Sequence, residues 1–182
     1  MQPAERRTLD RTEIQELIAE VAGRLVPTGE QHLLIVVGGS LLAWRGLRDT
    51  TEDVDSVHQI PAELRVVIHA IAVERDLRSD WLNDNARWFI PATFHLSRCD
   101  VLFEHPRLRV LGAPLRDVFI MKMYRADEAD RADMVKIWPR LDFNNAQEVV
   151  DAFYEAYPHV EIAPYFSEFV VGIARRAGFE FS

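Results

Sequence analysis

An unbroken apolar run, Leu33 to Val37, stops at Gly38-Gly39-Ser40, and beyond Leu41–Glu52 a second extended stretch begins with Asp53 and Asp55, two carboxylates one residue apart. The first run has the length and character of a strand buried on both faces. The glycine pair breaks it, and Ser40 to Gly46 reads as a helix of about two turns. Val54 to His58 reads as the second strand. Side chains at i and i+2 of a strand share a face roughly 6–7 Å apart, so Asp53 and Asp55 can converge on one divalent cation. Asp is disfavoured in strands, which argues that both are there for another reason.

By itself a glycine pair after a strand is an ordinary turn. Glycines nevertheless let the backbone approach a phosphate, a following helix start offers free N–H donors, and Ser40 adds a hydroxyl. No Gly-Lys-Ser/Thr follows, which excludes a P-loop, and no GxGxxG supports a dinucleotide site. Hard oxygen ligands of this kind suit magnesium, or manganese in its place, which pairs one or two carboxylates with substrate phosphates. The stretch therefore reads as a phosphate turn beside a metal pair.

The 182 residues suit one domain, or a domain with a helical extension, and 48% hydrophobic with 27% charged residues is ordinary globular composition. No apolar run reaches the ~20 residues of a membrane helix, and the amino terminus leads into an amphipathic helix rather than a secretory core, so the expectation is a cytoplasmic chain with no membrane partner. A single cysteine, Cys99, excludes an internal disulfide and a cysteine zinc site. It reads as a small buried hydrophobe before it reads as a nucleophile. The net charge of −8 argues against coating nucleic acid by charge alone. Between residues 98 and 125, however, Arg98, Arg107, Arg109, Arg116, Lys122 and Arg125 outnumber Asp100, Glu104 and Asp117, which leaves a local basic segment.

Taken in order, Asp10 and Glu13 form a capping pair, followed by Ile14, Leu17, Ile18, Val21, Ala22 and Leu25 at helical spacing. Pro61 opens a helix whose buried face is Leu64, Val67, Ile68, Ile71 and Ala72. Residues 79–85 form a polar loop, and strands are expected over Arg87 to Ile90, Phe94 to Phe103 and Leu108 to Leu111. After Pro114 the pattern is helical: Leu115 to Ile137, Ala146 to Tyr157 and Tyr165 to Ala177. The class is α+β. The scattered histidines have no ligand spacing. Trp44, Trp81, Trp88 and Trp138 read as core or rim aromatics, with Trp81 the one to stack on a base if any does.

Gly38-Gly39-Ser40 with Arg48, Thr51, Asp53 and Asp55 resembles the GS-x(n)-R-x-x-T/S-x-D-x-D motif of the nucleotidyltransferase superfamily, the polymerase-beta-like fold. The resemblance implies a mixed sheet flanked by helices, with a core over residues 1–114 and a C-terminal helical region over 115–182 packed on it as one unit. It implies that Gly39, Ser40 and Arg48 hold an NTP triphosphate and that Asp53 and Asp55 bind the metals. The superfamily uses a third carboxylate, for which Asp100 is the candidate, both as a metal ligand and as acceptor of the proton from an attacking hydroxyl. The bland alternative is a buried Asp100 paired with Arg98 or Arg116.

The helix from Leu115 to Ile137 narrows the resemblance. Lys122, Arg125, Asp130 and Asp133 look like the Lys, Arg and Asp series of AbiEii-like and MenT-like toxins, and Asp80-Trp81-Leu82-Asn83 is similar to a segment of their relatives. Arg125 falls closer to the Lys than in that pattern, and Ala129 replaces an Arg. On one continuous helix, i, i+3 and i, i+11 spacings bring Lys122, Arg125 and Asp133 to one side. The resemblance implies that Lys122 meets the β- or γ-phosphate, with Asp130 and Asp133 orienting it, that the acceptor is the tRNA 3′ end, and that an antitoxin protein is the partner. Read from the residues, a small-molecule or protein acceptor stays open. So does a catalytically silent binding member of the fold, against which intact Asp53, Asp55 and Lys122 speak.

Overall fold

Asp10 and Glu13 cap each other at the start of the first helix: the Glu13 N–H donates to Asp10 Oδ1 at 2.9 Å and the Asp10 N–H to Glu13 Oε2 at 3.1 Å. In the computed structural model, which describes residues 7–180, this helix α1 (Arg11–Arg24) buries Ile14, Leu17, Ile18, Val21 and Ala22, one stripe at helical period. The chain divides into two compact units. One takes the chain as far as Trp88 and resumes over Cys99–Ala113; the other comprises Phe89–Arg98 and everything from Pro114 onward.

The first unit is built on a five-stranded mixed sheet. Its strands are β2 (His32–Val37), β4 (Val54–Ser56), β5 (Leu82–Asn83), β6 (Asp100–His105) and β7 (Leu108–Gly112), in the order β5-β4-β2-β7-β6. Central β2 runs parallel to β7 and antiparallel to β4, and Leu34 to Val37 are fully buried, as a strand covered on both faces requires. Helices α2 (Gly38–Trp44) and α3 (Ala62–Glu74) complete the unit. A two-stranded antiparallel pair, β1 (Leu9–Asp10) with β3 (Thr50–Thr51), was not expected from the sequence, because two residues are too few to show an alternating pattern.

The second unit is helical: α4 (Leu115–Arg125), α5 (Glu128–Ile137), α6 (Ala146–Ala156) and α7 (Phe166–Arg176). Its centre is aromatic, with Phe153 against Phe166 at 4.6 Å between ring centroids and Tyr124 against Tyr157 at 4.8 Å. The content is α+β, and among the described residues no helix is long and apolar enough to cross a membrane.

Four expected elements differ, the first being the loop expected over residues 79–85, within which Leu82–Asn83 form β5. Residues 87–90 are not a strand; Asn85–Phe89 is a 3₁₀ turn, because Asn83 Oδ1 accepts the Asn85 N–H at 2.9 Å and Asp84 holds Arg87, an Asx-type closure that competes with extension. The strand expected from Phe94 begins only at Asp100: successive turns, Phe94 N–H to Pro91 O and Arg98 N–H to His95 O, occupy the first half. The single helix from Leu115 to Ile137 is two. Ala126 takes left-handed backbone (φ +53°), and Asp127 starts α5 by accepting the Asp130 N–H at 2.8 Å.

Candidate active site

Gly38 leaves the end of β2 with φ +63°, a conformation that favours glycine. A methyl group on Gly38 would lie 3.1 Å from Asp55 Oδ2, and one on Gly39 would lie 2.9 Å from Thr51 Oγ1 and 3.0 Å from Arg48 Nη1. The glycine turn is therefore bare backbone enclosed by a carboxylate, a hydroxyl and a guanidinium. Arg48 is steadied there by its Nε–H, which donates to the Thr50 carbonyl at 2.7 Å, and the Thr51 hydroxyl donates to the Asp53 carbonyl at 3.2 Å.

Ser40 does something the sequence did not indicate. Its side chain is fully buried, donating to the Val37 carbonyl at 2.9 Å and accepting the Asp55 N–H at 3.3 Å. The hydroxyl ties the turn to the strand that carries the carboxylates. Ser56 acts similarly one residue on, its Oγ accepting the Ile35 N–H at 3.2 Å. These bonds fix the register in which Val37 pairs with Asp55.

Asp53 immediately precedes β4 and Asp55 lies within it, both half-buried. On the outer side of β4, Asp55 pairs in register with Asn83. Asp80 forks Arg78 at 2.8 and 2.9 Å, and that guanidinium holds the Asp80 carboxyl below its usual range. Trp81 is buried, its indole N–H on the Ile68 carbonyl at 3.1 Å, so it is a core residue and offers no face to a base.

Asp100 is not brought to this pair. It opens edge strand β6, which β2 and β7 separate from β4, and its exposed carboxylate accepts from Arg45 at 2.7 Å, neither of the arginines anticipated. Among the described residues no group of three or more His, Cys, Asp and Glu side chains is placed to hold a metal ion. Asp53 and Asp55 remain as a donor pair of hard oxygens, the chemistry that fits a magnesium ion completed by phosphate oxygens and water.

In the helical unit Lys122 reaches Asp130 at 3.0 Å and Asp133 at 2.8 Å, and all three are buried. The contact runs across the turn between α4 and α5, and so does not depend on the continuous-helix spacing. Arg125 adds bonds to Asp130 at 2.6 and 2.9 Å. Burial alone would raise the Asp130 carboxyl, but Arg125 and Lys122 override it and hold the group below the usual carboxylate range.

Every basic side chain of the segment has a carboxylate partner. Arg98 pairs with Asp117, buried Arg107 with Glu63, Arg109 with Glu104, Arg116 with Asp142, Lys122 with Asp130 and Asp133, and Arg125 with Asp127 and Asp130. Sequence counting missed a different feature. Asp117, noted only for its charge, is buried beside a cavity in the helical unit with Oδ2 lacking any hydrogen-bond partner.

Residues 12–168 match the model of a family described as nucleotidyltransferase of unknown function (DUF6036). No curated protein and no solved structure matches the chain.

Proposed function

The chain belongs to this nucleotidyltransferase family, and from that premise we propose that it moves a nucleoside monophosphate from an NTP to an acceptor hydroxyl. The bond between the acceptor oxygen and the α-phosphorus forms, the α–β phosphoanhydride bond breaks, and pyrophosphate leaves with the hydroxyl proton taken up by base or solvent. The observation that carries the reading is the enclosure of the bare Gly38-Gly39 turn by Asp55, Thr51 and Arg48.

The glycines, Arg48 and Asp55 each have a part in the reaction. Gly38 and Gly39, having no side chains, let Asp55, Thr51 and Arg48 close on the turn, and the Arg48 guanidinium is the cation there for the phosphates. Asp53 and Asp55 would hold magnesium, or manganese, which when bound neutralises charge on the phosphates. Ser40 positions Asp55 through its backbone. Lys122, enclosed by Asp130 and Asp133, joins α4 to α5 in this reading, and Asp100 has no part in it. The rate gain comes from placing and neutralising, as in phosphoryl transfer generally.

Two acceptors fit. The likeness to toxin nucleotidyltransferases points to the tRNA 3′ end, with an antitoxin as partner. A small hydroxyl-bearing molecule, of the aminoglycoside type, is favoured by the ion pairing of all six basic side chains between residues 98 and 125, which lowers the net positive charge offered to an RNA backbone there. Incubating the protein with magnesium and each labelled NTP, with tRNA, with an aminoglycoside, or with neither, separates them. Label on RNA selects the first, label on the small molecule the second, and no label with any NTP contradicts both.

A further inference from the structure

The turn that leads into β5 is tied to the strand that carries the carboxylates. The Trp81 N–H donates to the Arg78 carbonyl at 3.1 Å and closes a four-residue turn, and the Val54 N–H donates to the Trp81 carbonyl at 2.6 Å. The buried Trp81 indole, bonded to the Ile68 carbonyl, anchors the turn. With Val54 in register with Leu82 and Asp55 with Asn83, the turn is set beside Glu52 and Asp53, and all of these residues belong to the first unit.

That turn fixes the place of one arginine. Asp80 takes the Arg78 guanidinium on both oxygens, Nε donating at 2.9 Å and Nη2 at 2.8 Å, while Nη1 donates to Glu52 Oε2 at 3.3 Å. A two-bonded fork sets the plane of a guanidinium as a single contact does not. Glu52 immediately precedes Asp53, and the Asp53 carboxylate is near enough to act on the same group: Asp80 first, then Asp53 and Glu52, make Arg78 hold its proton more firmly than usual. A divalent cation on Asp53 and Asp55 therefore meets a fixed positive charge. Within about a Debye length, ~8 Å at physiological salt, such repulsion is only partly screened.

We propose that Arg78, oriented by Asp80, tunes the cation affinity of the Asp53 and Asp55 pair downward, so that the carboxylates hold a divalent ion more weakly than their number alone would give. Arg78 acts on the ion directly through its charge, and Asp80 is a positioning residue that acts through Arg78. The inference rests on the reading of Asp53 and Asp55 as the metal pair.

The test titrates the whole chain with Mn2+ alone, without nucleotide, and follows the free ion by electron paramagnetic resonance. The component of binding lost in Asp55→Ala is the one measured. Wild type is compared with Arg78→Gln, Asp80→Asn and the double variant, all at side chains that are partly exposed and outside the core. The expected result is binding about three- to tenfold tighter in Arg78→Gln, the scale of removing one partly screened like charge, with the gap narrowing as KCl is raised. Asp80→Asn, which releases the guanidinium from its fork and removes a negative charge, binds more weakly than wild type. In the Arg78→Gln background the same Asp80→Asn change has a much smaller effect, because most of its action passes through the arginine. Asp55-dependent binding in wild type that is equal or weaker in Arg78→Gln overturns this proposal and leaves the metal pair standing. No Asp55-dependent binding in wild type or in Arg78→Gln overturns both.

Discussion

The Asp55 backbone N–H donates to the buried Ser40 hydroxyl at 3.3 Å, and the same hydroxyl donates to the Val37 carbonyl at 2.9 Å. One side chain thereby fixes the end of β2, the start of α2 and the strand bearing the carboxylates. Ser40→Ala leaves a buried N–H and a buried carbonyl without this partner, which costs about 1–3 kcal/mol. Chemical denaturation is expected to show that loss, and any transfer activity is expected to fall more than the fraction of folded protein does. Unchanged stability would mean that the two bonds are not formed.

Gly38 and Gly39 are expected to respond differently to alanine. At Gly38 the backbone is left-handed and the added methyl meets Asp55, so Gly38→Ala costs about 1–2 kcal/mol from strain and displaces the carboxylate. At Gly39 the methyl meets the end of the flexible Arg48 side chain and the Thr51 hydroxyl, so Gly39→Ala is expected to lower NTP affinity with a smaller fall in Tm. Thermal unfolding and NTP binding, measured on both variants, check the contrast.

The parts of the site carried by short-range chemistry were legible in the sequence. A glycine pair after an apolar run and Asp at alternate positions announce themselves because both residue types are costly in strands. The parts set by long-range geometry were not. Nothing local says that Ser40 turns inward to Asp55, that Arg45 is the residue that claims Asp100, or that Trp81 is sealed against Ile68. The break at Ala126 was hidden for a similar reason: alanine is the best helix former, and nothing in its type announces the left-handed backbone that ends α4 just before Asp127 caps α5. Charge counting likewise presented residues 98–125 as basic, because several of the carboxylates that neutralise them, Glu63 and Asp142 among them, lie outside the segment.

Lys122→Met is expected to act on stability. It leaves Asp130 and Asp133 buried without the ammonium between them, and breaking such a buried cluster costs about 3–5 kcal/mol. The triple variant with Asp130→Asn and Asp133→Asn should recover part of the loss. If Lys122→Met instead keeps its Tm and loses NTP binding, the lysine is a phosphate ligand and its ion pairs are incidental.

Two carboxyls of the helical unit are expected to respond to pH with opposite sign. Asp130 has a lowered folded pKa, so its contribution to stability is complete above the unfolded carboxyl value, about pH 4, and is lost as pH falls through the folded value. Asp117 has a raised folded pKa, so its ionised form opposes folding above that value, and the penalty disappears on acidification. Asp117→Asn should therefore be more stable than wild type at neutral pH, with a gap that closes as pH falls. Asp130→Asn should be less stable at neutral pH, with a gap that also closes. Urea unfolding across the acid range reads both.

The most direct measurement of the central claim is transfer of label from each α-labelled NTP, with magnesium, by wild type and Asp55→Ala side by side across the acceptor panel. The account predicts labelled acceptor and released pyrophosphate with wild type, and at least a hundredfold less with a folded Asp55→Ala, the scale of losing one transition-state charge contact. Equal labelling by the two proteins, or none by wild type with any nucleotide and acceptor, would contradict it.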